Sequence, residues 1–137
     1  MGKLHFRYGV VNSSLTATAL MFRHGYEQKN MQTIVFKPAI DTKHGKDGIV
    51  EEMGISAPCI DFNRDDNLFN LFETAKEDKK IQVVIVVECQ FCTKEQVEQL
   101  REISDEVSVY AYGLMTNFRT ELFEGSKRFL EISDSIQ

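Results

Sequence analysis

Eight residues near the start of the chain, Gly9-Val10-Val11-Asn12-Ser13-Ser14-Leu15-Thr16, separate a strand-like segment from a helix-like one. That order is the frame of a phosphate-binding loop, G-x-x-x-x-G-K-[ST]. Its backbone N–H groups and the helix N-terminus cradle a polyphosphate. In that frame the lysine sets a cation at the β/γ-phosphates and the final hydroxyl reaches Mg²⁺. Gly9 and Thr16 fit it. Ser14 stands at the second glycine and Leu15 at the lysine, so by motif alone this is not a phosphate loop, and a plain strand-to-helix turn is the favoured reading. A second chemical pattern is Cys89-Gln90-Phe91-Cys92, a C-x-x-C pair between a strand-like and a helix-like segment. A helix N-terminus beside such a pair lowers a thiol pKa, which is the setting of dithiol redox chemistry.

Both patterns need elements to hold them. Leu4, Phe6 and Tyr8 alternate with Lys3, His5 and Arg7, the period of a strand. A loop over Gly9–Ser14 and a helix from about Leu15 to Lys29 are expected next, with Leu20, Met21 and His24 on one side. Thr33–Phe36 is a short β-rich run stopped by Pro38, and residues 39–56 read as one long loop. Leu68, Leu71, Phe72 and Ala75 share a helix face. Val83–Val87 suits a central parallel strand covered on both sides. Thr93 and Gln96 form a capping-box pattern ahead of Val97, Leu100 and Ile103. A strand over Val107–Tyr112 and a helix over about Gly125–Ile136 complete the series. Strands alternating with helices predict an α/β, three-layer domain with a mostly parallel sheet, here a single domain over 1–137. Ligands of such sheets sit beyond the carboxyl ends of the strands, where the loops at Gly9–Ser14, Pro38–Thr42, Glu88–Phe91 and Gly113–Phe118 would meet.

Composition narrows the function. The 137 residues are 42% hydrophobic and 27% charged, ordinary for a globular chain, and the net charge of −5 argues against a nucleic-acid partner. No apolar run reaches the roughly 20 residues of a membrane helix. Met1 to His5 leads into no apolar segment, so no signal peptide is expected and cytoplasm is the expected location. Three cysteines, an odd number, point to reduced thiols. His5, His24 and His44 show no zinc-ligand spacing to Cys89 and Cys92. Thioredoxin-like folds bring a cis-proline from a later strand to their pair, whereas Pro38 and Pro58 both precede this one.

Several segments carry a family resemblance. Lys3 to Gly9 with Asn12-Ser13, Lys37-Pro38-Ala39-Ile40-Asp41-Thr42, Glu88-Cys89-Gln90-Phe91 and Thr93 to Val97 come in order with fitting spacing. So do Tyr112-Gly113-Leu114, then Thr116, Phe118, Arg119 and Glu121-Leu122-Phe123, and finally Gly125 to Arg128. In these the chain resembles the type II thymidine kinases, of P-loop NTPase-like fold, which transfer the γ-phosphate of ATP to the 5′-hydroxyl of thymidine. The resemblance implies Glu88 as the base that takes the 5′-hydroxyl proton. It also implies Gly9, Asn12, Ser13, Ser14, Leu15, Thr16, Asp41 and Gln90 as nucleotide-binding residues, with Thr16 serving Mg²⁺. Phe91, Leu114, Phe118 and Phe123 would line the thymine pocket. ATP and Mg²⁺ are the implied cofactors, a nucleotide or nucleoside the ligand, and a homo-oligomer the assembly.

The departures from the family fall on the chemistry. Leu15 removes the phosphate lysine, and Val87 stands where the family has its Mg²⁺-linked aspartate. Ser14 adds a Cβ to the loop. Met115, Asn117 and Thr120 replace the Arg, Asp and Gly of the usual R-T-D-F-R-G run, and Glu51-Glu52 replaces a Ser-Arg pair. The family continues past the position of Gln137 into a zinc-bearing lasso, and no four-cysteine zinc site is expected from this chain. Each lost preorganised charge costs about 10²–10³-fold in rate, so weak or absent phosphoryl transfer is expected. The alternatives are a catalytically inactive nucleotide-binding or regulatory homologue, a kinase compensated by Arg7, Lys37 or Arg119, and a C-x-x-C thiol redox protein.

Overall fold

The computed structural model of the chain describes residues 2–39 and 48–137, so the expected site residue Asp41 lies outside the described residues. In chain order the elements are β1 (Leu4–Gly9), α1 (Asn12–Gln28), β2 (Thr33–Pro38), β3 (Ile49–Glu52), β4 (Ile55–Pro58) and β5 (Ile60–Phe62). They continue as α2 (Leu68–Ala75), β6 (Val83–Val86), a 3₁₀ turn at Cys89–Phe91, α3 (Lys94–Ile103), β7 (Ser108–Leu114), α4 (Glu124–Ile132) and β8 (Ser135–Ile136). Among the described residues six strands form one sheet in the order β5-β2-β6-β7-β1-β8, and every pairing given for it is parallel.

Alternation along the strands divides the core between two faces. Leu4, Phe6, Val84, Val86, Val109 and Ala111 pack with Phe72, Val97, Leu100, Ile103 and Phe129, the inward residues of α2, α3 and α4. Val35, Val83, Ile85, Val87 and Tyr112 pack with Ala19 and Leu20 of α1 and with Val50 and Ala57 of the β3–β4 hairpin. The chain is thus a three-layer α/β domain of the expected kind. The capping box is present: the Thr93 side chain accepts from the Gln96 N–H at 3.0 Å, and Gln96 Oε1 accepts from the Thr93 N–H. Gln96 is buried, and its Nε2 donates to the carbonyls of Asn63 and Asp66, which ties the chain leaving β5 to the start of α3.

Four expectations are corrected. Residues 49–58, mostly assigned to the long loop, form a two-stranded hairpin whose Met53 and Gly54 both have positive φ, as a two-residue turn of this twist requires. The last helix stops at Ile132, because Ser133 is extended and the backbone of Asp134 and Gln137 bonds to β1 instead. On α1 the buried residues are Thr16, Ala17, Ala19 and Leu20, while Met21 and His24 face solvent. Most consequential, α1 begins at Asn12 rather than Leu15.

Candidate functional site

The early start of α1 reshapes the loop at its origin. Only Val10 and Val11 remain between β1 and the helix, and the Leu15 N–H is already bonded to the Val11 carbonyl at 3.2 Å. Serine at position 14 favours this start, since glycine in a helix costs about 1 kcal/mol relative to alanine and serine less. The helix has no side-chain cap and no acidic residue in its first turn, so the N–H groups of Asn12, Ser13 and Ser14 are the ones left without intrahelical partners. Leu15 folds back over the loop: a Cβ on Gly9 would lie 3.2 Å from Leu15 Cδ2. Leu15 packs against the apolar cluster that contains Val87, which is fully buried. Thr16 is also buried, on the helix face turned to the sheet. The two positions where the resemblance would place a cation and a metal-linked carboxylate therefore carry hydrocarbon against one shared cluster.

Glu88 follows β6 at the carboxyl edge of the sheet. It is 4% exposed and holds a left-handed backbone, φ 51° and ψ 44°, which is rare for a residue with a side chain. Its Oε1 accepts a hydrogen bond from Asn12 Nδ2 at 2.5 Å, joining the first residue of α1 to the end of β6 across 76 positions of sequence. Cys89, Gln90 and Phe91 then form the 3₁₀ turn. Gln90 is buried, and its Oε1 accepts from the Leu114 N–H at 3.1 Å. Ser126 Oγ donates to the Leu114 carbonyl, so the end of β7 is gripped on both sides.

Beyond β1 and β7 lies a cleft of about 700 Å³ lined by Tyr8, Gly9, Val10, Leu114, Met115, Thr116, Asn117, Phe118 and Phe123. Leu114, Phe118 and Phe123 come together there. Phe91 does not line it directly but meets Phe123 edge to face, with ring centroids 5.7 Å apart. Phe118 is 91% exposed and Val10 95% exposed, an apolar rim on the open side of the cleft. The loop over residues 115–123 is closed by a Thr116–Leu122 bridge, and Asn117 Oδ1 accepts from the Arg119 and Glu121 N–H groups. Thr120 sits in this loop at φ 60°. A β-branched residue in that conformation is strained, and glycine occupies it freely. Thr120→Gly should therefore raise stability by about 1 kcal/mol. A lowered urea midpoint in the variant would contradict that reading.

Arg7, Lys37 and Arg119, the cations named as possible compensation, each have a partner in the structure. Lys37 is buried and pairs with Asp61 on the neighbouring strand at 3.1 Å. Arg7 donates to Ser135 Oγ and lies over the Tyr110 ring, and Arg119 lies over Phe118. Cys89 and Cys92 are both free and fully buried, and burial pushes both thiols upward, away from the thiolate that redox exchange requires. Among the described residues no helix is long and apolar enough to cross a membrane, and no group of three or more His, Cys, Asp or Glu could hold a metal.

A parallel sheet covered on both faces, with a strand-to-helix loop at its carboxyl edge, defines a P-loop-like α/β protein. Comparison with known proteins narrows the class. A sequence model of the thymidine kinase family matches residues 2–137. The chain is 37% identical to a thymidine kinase of Mannheimia succiniciproducens, over all of this chain and 71% of that protein. It is 40% identical to a thymidine kinase of Legionella pneumophila (strain Lens) and 36% identical to one of Escherichia coli O157:H7. Those matches cover 99% of this chain and 66% and 67% of the relatives, so it spans about two thirds of their length. The chain belongs to the thymidine kinase family.

Proposed function

We propose that this protein binds a pyrimidine nucleoside of the thymidine type at the edge of β6, β7 and β1, and that it transfers phosphate to it poorly or not at all. The observation that carries this reading is the contrast between the two halves of the site. On the nucleoside side stand Glu88, Gln90 and the cleft of Leu114, Phe118 and Phe123. On the phosphate side Leu15 covers Gly9, and Val87 is buried among apolar side chains.

The residues present do not fit ATP·Mg²⁺. The free N–H groups of Asn12 to Ser14 would favour an anion, but the Glu88 carboxylate is already tied to Asn12 at that helix end. The loop from Gly9 to Thr16 carries no cation, and no carboxylate stands at Val87 to hold the metal. Phosphoryl transfer depends almost wholly on such positioned charges. Two losses of about 10²–10³-fold each act on one transition state. Incubation with ATP, Mg²⁺ and thymidine should accordingly yield no dTMP above the no-enzyme control. Formation of dTMP at an ordinary kinase rate would overturn the inactive part of the reading and leave the nucleoside site standing.

A further inference from the structure

The hydroxyl of Ser135, in β8, has two partners on β1. His5 Nδ1 stands 2.6 Å from Ser135 Oγ, and Arg7 Nη1 donates to the same oxygen at 3.1 Å. A guanidinium can only donate, so Ser135 accepts from Arg7 and has its single proton left for Nδ1. That pairing uses every group when His5 is neutral and carries its proton on Nε2. The partners are fixed in place. The His5 ring stacks on Tyr110 of β7 with centroids 4.3 Å apart, and the Arg7 guanidinium lies over the same ring.

Protonation of His5 turns Nδ1 into a donor, so two cations then converge on one oxygen. Arg7 and Lys3, both on β1, oppose the imidazolium, while Asp134 favours it. The Asp134 carboxylate is already engaged by Arg101 of α3 and by the Leu4 N–H. β7 and α1 contribute phenols, Tyr110 and the Tyr26 hydrogen-bonded to it. Burial first, and then these cations, hold His5 below its ordinary value of 6.5. Its support for the fold is therefore present above about pH 6.5 and is lost as the pH falls. β8 has little else to hold it. It is two residues long, and its flanking backbone bonds run from Asp134 N–H to Leu4, from Gln137 N–H to Phe6 and from Tyr8 N–H to Gln137. Tyr8 also lines the cleft beyond β1 and β7.

We propose that β8 is a pH-sensitive strap on β1: protonation of His5 reverses its bond with Ser135, and β8 leaves the sheet edge more often, loosening the end of β1 that carries Tyr8 to the cleft. Amide hydrogen exchange of the whole chain at pH 7.5 and pH 5.5, followed by NMR and expressed as protection factors, tests this. In the wild type Tyr8 and Gln137 should lose about fivefold in protection at the lower pH, the factor one like-charge contact near water supplies. His5→Asn offers an oxygen near the place of Nδ1 without titrating, and its loss should stay below about twofold. His5→Phe keeps the ring on Tyr110 without a nitrogen, and it should respond equally little. The His5 ring of the wild type should titrate below 6.5, and in Ser135→Ala it should move toward that value. Unchanged protection of Tyr8 and Gln137 between the two pH values would overturn the proposal. So would a fivefold loss that persists in both His5→Asn and His5→Phe.

Discussion

Val87→Asp, made alone, should lower the stability of this protein by about 3–5 kcal/mol, the cost of an uncompensated buried charge. Val87 is fully buried, and its cluster consists of Ala19, Leu20, Val35, Val50, Ala57, Val83, Ile85 and Tyr112. None of these offers a carboxylate a cation. Leu15 packs on the same cluster, so Leu15→Lys alone also sets a charge against hydrocarbon, though at a half-buried position from which the ammonium can reach water. Its cost should be smaller, about 1 kcal/mol. The informative variant is the one that combines Leu15→Lys with Val87→Asp. If the two apolar residues replaced an interacting charged pair, the combined variant should recover about 1–2 kcal/mol relative to the sum of the single losses. Urea denaturation of the wild type, the two single variants and the combined one gives the coupling. Strict additivity would show that the two positions are energetically separate and that the phosphate and metal sides are not one unit here.

Gly125→Ala should destabilise by about 2–3 kcal/mol despite the better helix propensity of alanine. A Cβ at this position in the first turn of α4 would stand 2.6 Å from the Cys92 carbonyl oxygen and 3.1 Å from that of Cys89. Both obstacles are backbone atoms of the turn that follows Glu88, and neither can swing aside as a side chain would. The gain of up to about 1 kcal/mol from replacing glycine in a helix is outweighed by the displaced turn. The shift should spread to Glu88 and to the Leu114 carbonyl, which Ser126 on the same turn of α4 holds. Thymidine affinity should fall together with stability. A variant whose urea midpoint matches the wild type would show that α4 has room to move off the turn.

Much of the fold was legible in the residues because long or strongly patterned elements announce themselves. Val83–Val86 is a β-branched run buried on both faces, and Thr93 with Gln96 caps α3 as the spacing predicts. The short elements were not legible. β5 has three residues and β8 two, and both exist through pairing with strands distant in sequence. The β3–β4 turn carries methionine at a position where asparagine or aspartate would have signalled it. The start of α1 was misplaced because the phosphate-loop frame implies an open loop through Ser14, whereas the residues present there continue a helix.

The candidate site divides in the same way. Gly9, Leu15, Glu88 and the aromatic residues of the cleft were found from motif order and resemblance. The Asn12–Glu88 bond, the double grip on Leu114 and the shared cluster of Leu15 and Val87 join positions far apart in sequence, and no local pattern marks them. Thr120 was visible as a departure from glycine, but its strain became apparent only from φ.

The central claim, a kept nucleoside side beside a lost phosphate side, is most directly tested by titrating the protein separately with thymidine and with ATP·Mg²⁺ in one calorimetric series. The account predicts measurable heat and a one-to-one stoichiometry with thymidine, and no saturable binding of ATP·Mg²⁺ at millimolar concentration. Tight binding of ATP·Mg²⁺ without detectable binding of thymidine would contradict it.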